Sequence, residues 1–499
     1  MKEKKGQAVT LDQRFADAMG QLLGPDFPAN IGLAVSGGGD SMAMLYLAHN
    51  WSHVWGVKLW VCTVDHGLRP ESADEAAMVA EECAVLGWPH ATLRWHWDGA
   101  GNKMDAARRG RLRLIDEWRG VLRHVLMAHT RDDVAETFLM RLARGSGVEG
   151  LSAMSARREV RTGGGRADPE DFDGDLPTRF FQKKGMAMRH GSYDVLRPCL
   201  DISRAELRHY LTTLKGRWAD DPSNDDPSYD RVRVRQALPA LAELGLDVTI
   251  LAGTAERMAR ARAALQARAV QVWDEIGQEG GLAHMPEYRS GQVAAMPRKP
   301  VVSVTLADKA GEPVALPGPP TGEILFDRAG FEAVERDTQM RLLAATLQWV
   351  ATVEYRPRAE PLDALLDRLL GGGGGTLHGC EARMERDHLR VFREFKALSG
   401  TAAQHGAAQL WDGRWRVFAP GFRDTEGVEI RALGEKGWAQ VQDKPEGCPP
   451  FHAARSLPAL WQGDTLLACD VMGVGPGHTT LLWPMGREMY GFKAFLMSH

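Results

Sequence analysis

IGLAVSGGGDSMAML, residues 31–45, decides the reading of the fold. A short apolar run rich in strand formers stops at Ser36. Three glycines follow, and Asp40 and Ser41 then open a stretch with helical character. Glycines lack Cβ, so successive backbone N–H groups can turn toward one anion, and a helix beginning at Ser41 adds its positive end. Ser36, Gly37, Gly38, Gly39, Asp40 and Ser41 therefore form a candidate phosphate cradle. It is not the P-loop of kinases and GTPases, because G-x-x-x-x-G-K-[ST] does not occur in the chain. A carboxylate inside an anion cradle repels phosphate unless a cation lies between them. Asp40 thus implies Mg2+, a hard ion that takes oxygens from carboxylate and phosphate together. A tight strand-to-helix turn with Asp40 as N-cap would use the same residues without any ligand.

Outward from that loop, residues 29–145 alternate strand and helix. IGLAV (31–35), KLWVCTV (58–64), ATLRWHW (91–97) and HVLMA (124–128) read as strands. Helical runs at 41–50, 71–86, 105–119 and 131–144 lie between and after them. Repeated β-α units of this length predict a parallel sheet covered by helices.

Ligands collect at the carboxyl ends of strands in such sheets. Two further polar clusters sit just after predicted strands: Asp65-His66-Gly67-Leu68-Arg69, and His129-Thr130-Arg131-Asp132-Asp133-Val134-Ala135-Glu136. On a helix Asp132 and Glu136 (i,i+4) and Asp133 and Glu136 (i,i+3) share a face. Packed carboxylates repel, which implies a bound cation or an amine substrate; helix N-terminal capping would also place Asp132 and Asp133 there. Residues 100–125 hold seven Lys or Arg against three Asp or Glu, a local +4. Within this run Arg108 and Arg111, one turn apart, suit phosphate or nucleotide contact.

The rest of the chain is less explicit. Residues 163–190 carry glycines and a run of acids without apolar period and read as a mobile surface insertion. From about 229 the chain turns Ala/Leu/Arg-rich and helical. GGGGG at 371–375 ends a helix and reads as a hinge, since no strand precedes it and no Lys or carboxylate follows. The last hundred residues show short strand-like runs (RWRVFA, TLLACDVM, TTLLWP) between Gly and Pro turns.

At 499 residues the chain exceeds one ordinary core. Its net charge of −4 excludes bulk polycation behaviour, so nucleic-acid binding needs local basic surfaces. The basic N-terminus has no apolar h-region, no apolar run reaches membrane-span length, and the six dispersed cysteines read as free thiols; a cytoplasmic protein is expected.

SGGGDS after a first strand resembles the pyrophosphatase loop of the N-type ATP-pyrophosphatase (PP-loop) superfamily. VDHGLR, the Arg-rich 106–111, AHTRDDVAET, RLARGSGVEGL, RPCLDISRAELRHYL and WADDPSNDDPSYDRVRVRQALPAL occur in the order seen in tRNA(Ile)-lysidine synthetases. A terminal RSLPALWQGDTLLA is similar to that family's C-terminal domain. The resemblance implies a Rossmann-like α/β catalytic domain at 29–228 behind a segment 1–28. A mainly helical tRNA-binding domain at 229–400 and a small β-containing tRNA-binding domain at 401–499 would follow.

It also implies a two-step reaction. ATP adenylates the wobble cytidine of the isoleucine tRNA with a CAU anticodon, and free L-lysine then displaces AMP. By the same resemblance Ser36 to Ser41, Asp65 and His66 bind ATP, and Asp40 and Asp132 hold Mg2+. Asp40, Asp132, Asp133 and Glu136 would serve catalysis. Arg69, Arg108, Arg111, Asp221, Asn224, Arg231 and Arg235 would meet lysine or tRNA, and a homodimer is possible within the family. Thr130-Arg131 departs from the commoner His-Ala pair, the stretch 107–111 lacks the usual tyrosine, and Val232 stands where Asn is common. Two rivals are a PP-loop tRNA thiolase, which generally uses catalytic cysteines, and a non-catalytic nucleotide- or tRNA-binding protein, which would lack the carboxylates.

Overall fold

The computed structural model describes residues 9–67, 71–97, 99, 101, 103–160, 169–177, 180–181, 191–220, 226–283, 306–307, 313–314, 318–404, 410–422, 425–475, 479–484 and 491–498. The chain divides into two compact units, 1–262 and 263–499.

The first unit is built on a seven-stranded sheet. Its strands are β1 (Asn30–Ala34), β2 (Lys58–Asp65), β3 (His90–Arg94), β4 (His124–Met127), β5 (Arg157–Val160), β6 (Phe172–Gly174) and β7 (Tyr193–Leu196), in the order β5-β7-β4-β1-β2-β3-β6. The five central strands run parallel, and β5 and β6 close the edges antiparallel. Strands covered on both faces need apolar residues at successive positions, and Leu59, Trp60, Val61 and Cys62 are all buried.

Helices α1 (Leu11–Leu23), α2 (Gly39–Trp55) and α3 (Ser72–Leu86) pack one face through Phe15, Met42, Leu45 and Val79. Helix α4 (Lys103–Arg119) covers the other through Leu114, Ile115 and Trp118. Helix α5 (Arg131–Leu142) follows β4, then α6 (Val148–Leu151), α7 (Arg204–Thr213), α8 (Asp230–Glu243) and α9 (Val248–Ile276). Val134, Ala135 and Phe138 of α5 pack on Leu251, Ala252 and Ala255 of α9. From β1 the chain crosses to β2 on one side while β4 lies on the other, so a crevice opens between the ends of β1 and β4.

The four predicted strands and helices are all present, with α2 running further at both ends than 41–50. The segment 163–190 lies largely outside the described residues. What is described includes β6, which adds an edge strand to β3, and Phe180, whose ring is 5.3 Å from that of Trp60.

The second unit adds strands to the helices expected over 229–400. Gly374–Leu377, Cys380–Met384, His388–Arg393, Pro320–Asp327 and Gly277–Gly281 form a five-stranded antiparallel sheet. Arg336–Ala351 packs on it, with Leu343, Leu347 and Val350 in the same core as Ala382 and Val391. The pentaglycine is not a hinge. Gly371 caps the helix Ala359–Leu370, Gly372 takes φ +80°, and Gly374 already lies in a strand. A Cβ on Gly374 would come within 2.7 Å of the Ala382 carbonyl oxygen. The sequence carries no strand signature here, because glycines without side chains show no period-2 pattern. Nearer the C-terminus, Ala403–Gln404, Val428–Ala432, Pro458–Gln462 and Thr465–Ala468 form a four-stranded sheet. Trp415–Phe418 pairs with Thr479–Leu482.

Candidate active site at the ends of β1 and β4

The loop from β1 to α2 turns through Gly37 at φ +88°, a conformation that disfavours any residue with a Cβ. Gly38 is the N-cap of α2 and offers no side-chain acceptor. The first-turn amides of α2 therefore have no intrahelical partner and point out of the helix end, where the dipole favours negative charge. Two hydroxyls stitch the loop. Ser41 Oγ accepts from the Ser36 amide at 3.1 Å and donates to the Gly38 carbonyl at 2.9 Å, and the Ser36 and Ser41 hydroxyls lie 3.1 Å apart. The Ala219 amide donates to the Gly37 carbonyl at 2.9 Å and pins the loop from outside.

The carboxylates do converge, but the cation among them belongs to the chain. Arg204, the first residue of α7, places Nε 3.1 Å from Asp40, Nη1 3.0 Å from Glu136 and Nη2 3.4 Å from Asp133. Its backbone amide donates to Asp132 Oδ2 at 2.8 Å. Glu136 has no solvent exposure and also pairs with Arg231 at 3.1 Å and Arg235 at 2.9 Å, both from α8. Burial alone would disfavour the charge on Arg204, yet Glu136, Asp133 and Asp40 hold its pKa above the ordinary value.

Each carboxylate has its own environment. Burial pushes Asp40 above the usual range, and Arg204 opposes it without prevailing. Burial also works against ionised Asp133, but Arg204, the Thr130 amide and Arg231 outweigh it and hold the pKa low. Asp133 Oδ2 accepts from the Thr130 amide at 2.8 Å and Thr130 Oγ at 2.9 Å, and the Asp133 amide returns to Thr130 Oγ. This is a capping box at the start of α5, so the capping role weighed for Asp133 is present. It also explains a hydroxyl residue at 130. Asp40 Oδ1 is buried with no hydrogen-bond partner among the described residues.

That orphaned oxygen fits a hard cation that would take its other ligands from phosphate and water. No group of three or more His, Cys, Asp or Glu among the described residues is arranged as a self-contained metal site. Any ion here would therefore rest on one or two protein carboxylates, Asp40 with Asp132 nearby.

Beside the acidic node lies a basic pocket. Burial and the charges of Arg108 and Arg231 lower the pKa of Arg111. Burial and the neighbouring Arg158, Arg108 and Arg111 push Arg197, just past β7, down to about 10. Burial brings His66 down to about 4, with Arg111 adding to it, and His129 to about 3, with Arg197 adding. Both rings are neutral at pH 7. Arg111 Nε, Arg197 Nε, His66 Nδ1 and His129 Nδ1 are buried without a hydrogen-bond partner among the described residues. Mutually repelling cations with unpaired donors favour an anion.

Asp40, Asp132, Asp133, Glu136, Arg231 and Arg235 thus meet around Arg204, while Arg111 and His66 belong to the basic pocket with the exposed Arg108 at its edge. Asp65 is engaged locally: its Oδ1 accepts from the Gly67 amide at 2.8 Å and Ser72 Oγ at 2.6 Å. Arg69, Asp221 and Asn224 lie outside the described residues. Sequence reasoning missed Arg204 and Arg197, although both stand inside the RPCLDISRAELRHYL stretch. Ser203 with Glu206 three residues on is a capping-box signature that marks where α7 begins, and so where Arg204 sits.

All six cysteines are free, and Cys62 is wholly buried in β2 with its thiol pKa raised by burial. Among the described residues no single helix is long and apolar enough to cross a membrane.

Residues 11–241 match the family described as PP-loop domain. The chain is 36% identical over 475 residues to the tRNA(Ile)-lysidine synthase of Ruegeria pomeroyi, covering 95% of each chain. It is 37% identical over 379 residues to that of Bradyrhizobium sp. (strain BTAi1), covering 72% of this chain and 88% of the relative. With that of Hyphomonas neptunium the identity is 34% over 403 residues, 79% of this chain and 90% of the relative.

Proposed function

The chain belongs to the tRNA(Ile)-lysidine synthase family, and from that premise we propose how its first unit carries out an ATP-dependent ligation on tRNA(Ile). In the first step the C2 oxygen of the wobble cytidine of the CAU-anticodon tRNA attacks the α-phosphorus of ATP and pyrophosphate leaves. In the second, the ε-amine of free L-lysine attacks carbon 2. The new C–N bond forms as the C–O bond to AMP breaks, and the amine gives up its proton.

The first-turn amides of α2, with Ser36 and Ser41 shaping the loop, receive the phosphates of ATP. Asp40 Oδ1 would hold Mg2+, which when bound would offset charge on the transferring phosphates. Asp132 is the carboxylate suited to take the proton from the lysine amine: one of its oxygens accepts a single backbone hydrogen bond, while Glu136 is committed to three guanidinium groups. Glu136 and Asp133 therefore act as positioning residues for Arg204. Arg111 and Arg197 hold an anionic group of substrate, either the adenylate phosphate or the lysine carboxylate, and the exposed Arg108 at the edge of the pocket meets the tRNA. The ranges 229–400 and 401–499 are assigned to tRNA binding.

The observation that carries this reading is the uncapped N-terminus of α2 lying against the Asp40–Arg204 pair at the switch point of a parallel sheet. Thiolation fits less well, because Cys62 is sealed inside the sheet. The test combines the protein, Mg-ATP, radiolabelled lysine and the CAU-anticodon tRNA. Label in the tRNA with pyrophosphate release is the expected result. Absence of label refutes the lysidine assignment.

A further inference from the structure

The mechanism above leaves one aromatic feature beyond the end of β3 unused. Trp95, just past β3, is buried with its ring 5.8 Å from that of His66. Two residues further on, Trp97 keeps 43% of its surface exposed. The ammonium of Lys103, the first residue of α4, stands 5.4 Å from the Trp97 ring centroid. Met104 beside it is 53% exposed.

From Met104 the helix carries Arg108 and Arg111 at i+4 and i+7, so all three share one face of α4. At the inner end of this stripe, Arg111 is close enough to His66 to depress its pKa. At the outer end lie the exposed Met104 and Arg108. Arg108 and Arg111 on one face of α4, with Lys103 at an exposed indole, fit single-stranded RNA, with phosphates meeting the cations and a base stacking on the aromatic ring.

We propose that Trp97 is a stacking platform for an unpaired nucleobase of the RNA substrate next to the base being modified, with Lys103 and Arg108 serving the adjoining phosphates. The proposal rests on the tRNA-modifying function above and adds a binding residue to it. Stacking tolerates any base, so the platform orients the loop and leaves discrimination to other groups.

The test measures binding of the CAU-anticodon tRNA to the whole chain over a range of salt, alongside steady-state kinetics. Trp97→Ala should weaken tRNA binding and raise the KM for tRNA about tenfold, with kcat and the KM for ATP unchanged. Trp97→Phe should restore most of the affinity. The slope of log K against log salt should be the same in W97A as in the parent, because no phosphate contact is lost, whereas Lys103→Ala should flatten it by about one unit. Binding by W97A within about twofold of the parent, or equal losses in W97A and W97F, overturns the platform. If the parent binds the tRNA but transfers no lysine, the functional assignment fails while the Trp97 comparison still stands on binding alone.

Discussion

Arg204 Nη1 and Glu136 Oε1 meet at 3.0 Å where Glu136 has no exposure to solvent at all. The residues are 68 apart in sequence, one opening α7 and the other inside α5. Around this pair stand Asp40 and Asp133 on the acidic side and Arg231 and Arg235 on the basic side. Three carboxylates and three guanidiniums therefore share one site, and removal of any single charge leaves an uncompensated partner in a place of low dielectric.

Arg204→Ala should lower the unfolding free energy by about 3–5 kcal/mol, the usual cost of breaking a buried charge pair from one side. Lysine transfer should fall by more than about 100-fold, because the node that sets Asp40 and Asp132 loses its centre. Arg204→Lys should recover only part of both, since an ammonium lacks the planar fork that reaches three carboxylates. Urea unfolding and initial rates decide this; wild-type stability in R204A would contradict the structural role.

Asp40→Asn keeps the shape of the side chain and removes the charge that a hard cation needs. Pyrophosphate release should drop by about 100-fold or more, with tRNA affinity nearly unchanged. Comparable turnover in the variant would refute the metal role of Asp40.

His66 and His129, held near 4 and 3 in the folded chain, should make stability fall with acidification. Below the ordinary 6.5 the unfolded chain takes up protons that the folded chain refuses. The contribution is therefore full well above pH 6.5, falls as the pH drops through that value, and is lost by about pH 4 for His66 and about pH 3 for His129. Urea midpoints measured from pH 7.5 to pH 4 should show the decline, and His66→Gln should make it shallower. An equally steep decline in H66Q would exclude His66 as a source.

Gly37→Ala tests the cradle through its backbone. At φ +88° an L side chain costs about 1–2 kcal/mol, while the space around the new Cβ is ordinary, its nearest neighbour being Glu75 at 3.5 Å. The strain should reappear as a shifted loop, raising the KM for ATP several-fold with the KM for tRNA little changed. Isothermal titration with ATP gives a direct reading.

Gly374→Ala separates a hinge from a packed strand. The added methyl would press on the Ala382 carbonyl at 2.7 Å, so the antiparallel pairing must shift and thermal stability should drop. Substitution in a free hinge would leave the melting temperature unchanged or raise it.

By itself the sequence determined the parallel β-α arrangement of the first unit and the three polar clusters at strand ends. Both are local: apolar runs, cap residues and glycines at strand-to-helix turns act within a few residues of themselves. The SGGGDS loop could be read as an anion cradle because its donors are its own backbone amides. Repelling carboxylates could likewise be read as demanding a cation. Only the tertiary structure decided which cation. Arg204 lies 72 residues from Asp132 and arrives because β7 pairs parallel to β4, which sets the start of α7 over the start of α5. Neutralising a buried charge depends on distance in space, and nothing in the spacing of the carboxylates says which of 61 Lys and Arg side chains will be folded onto them.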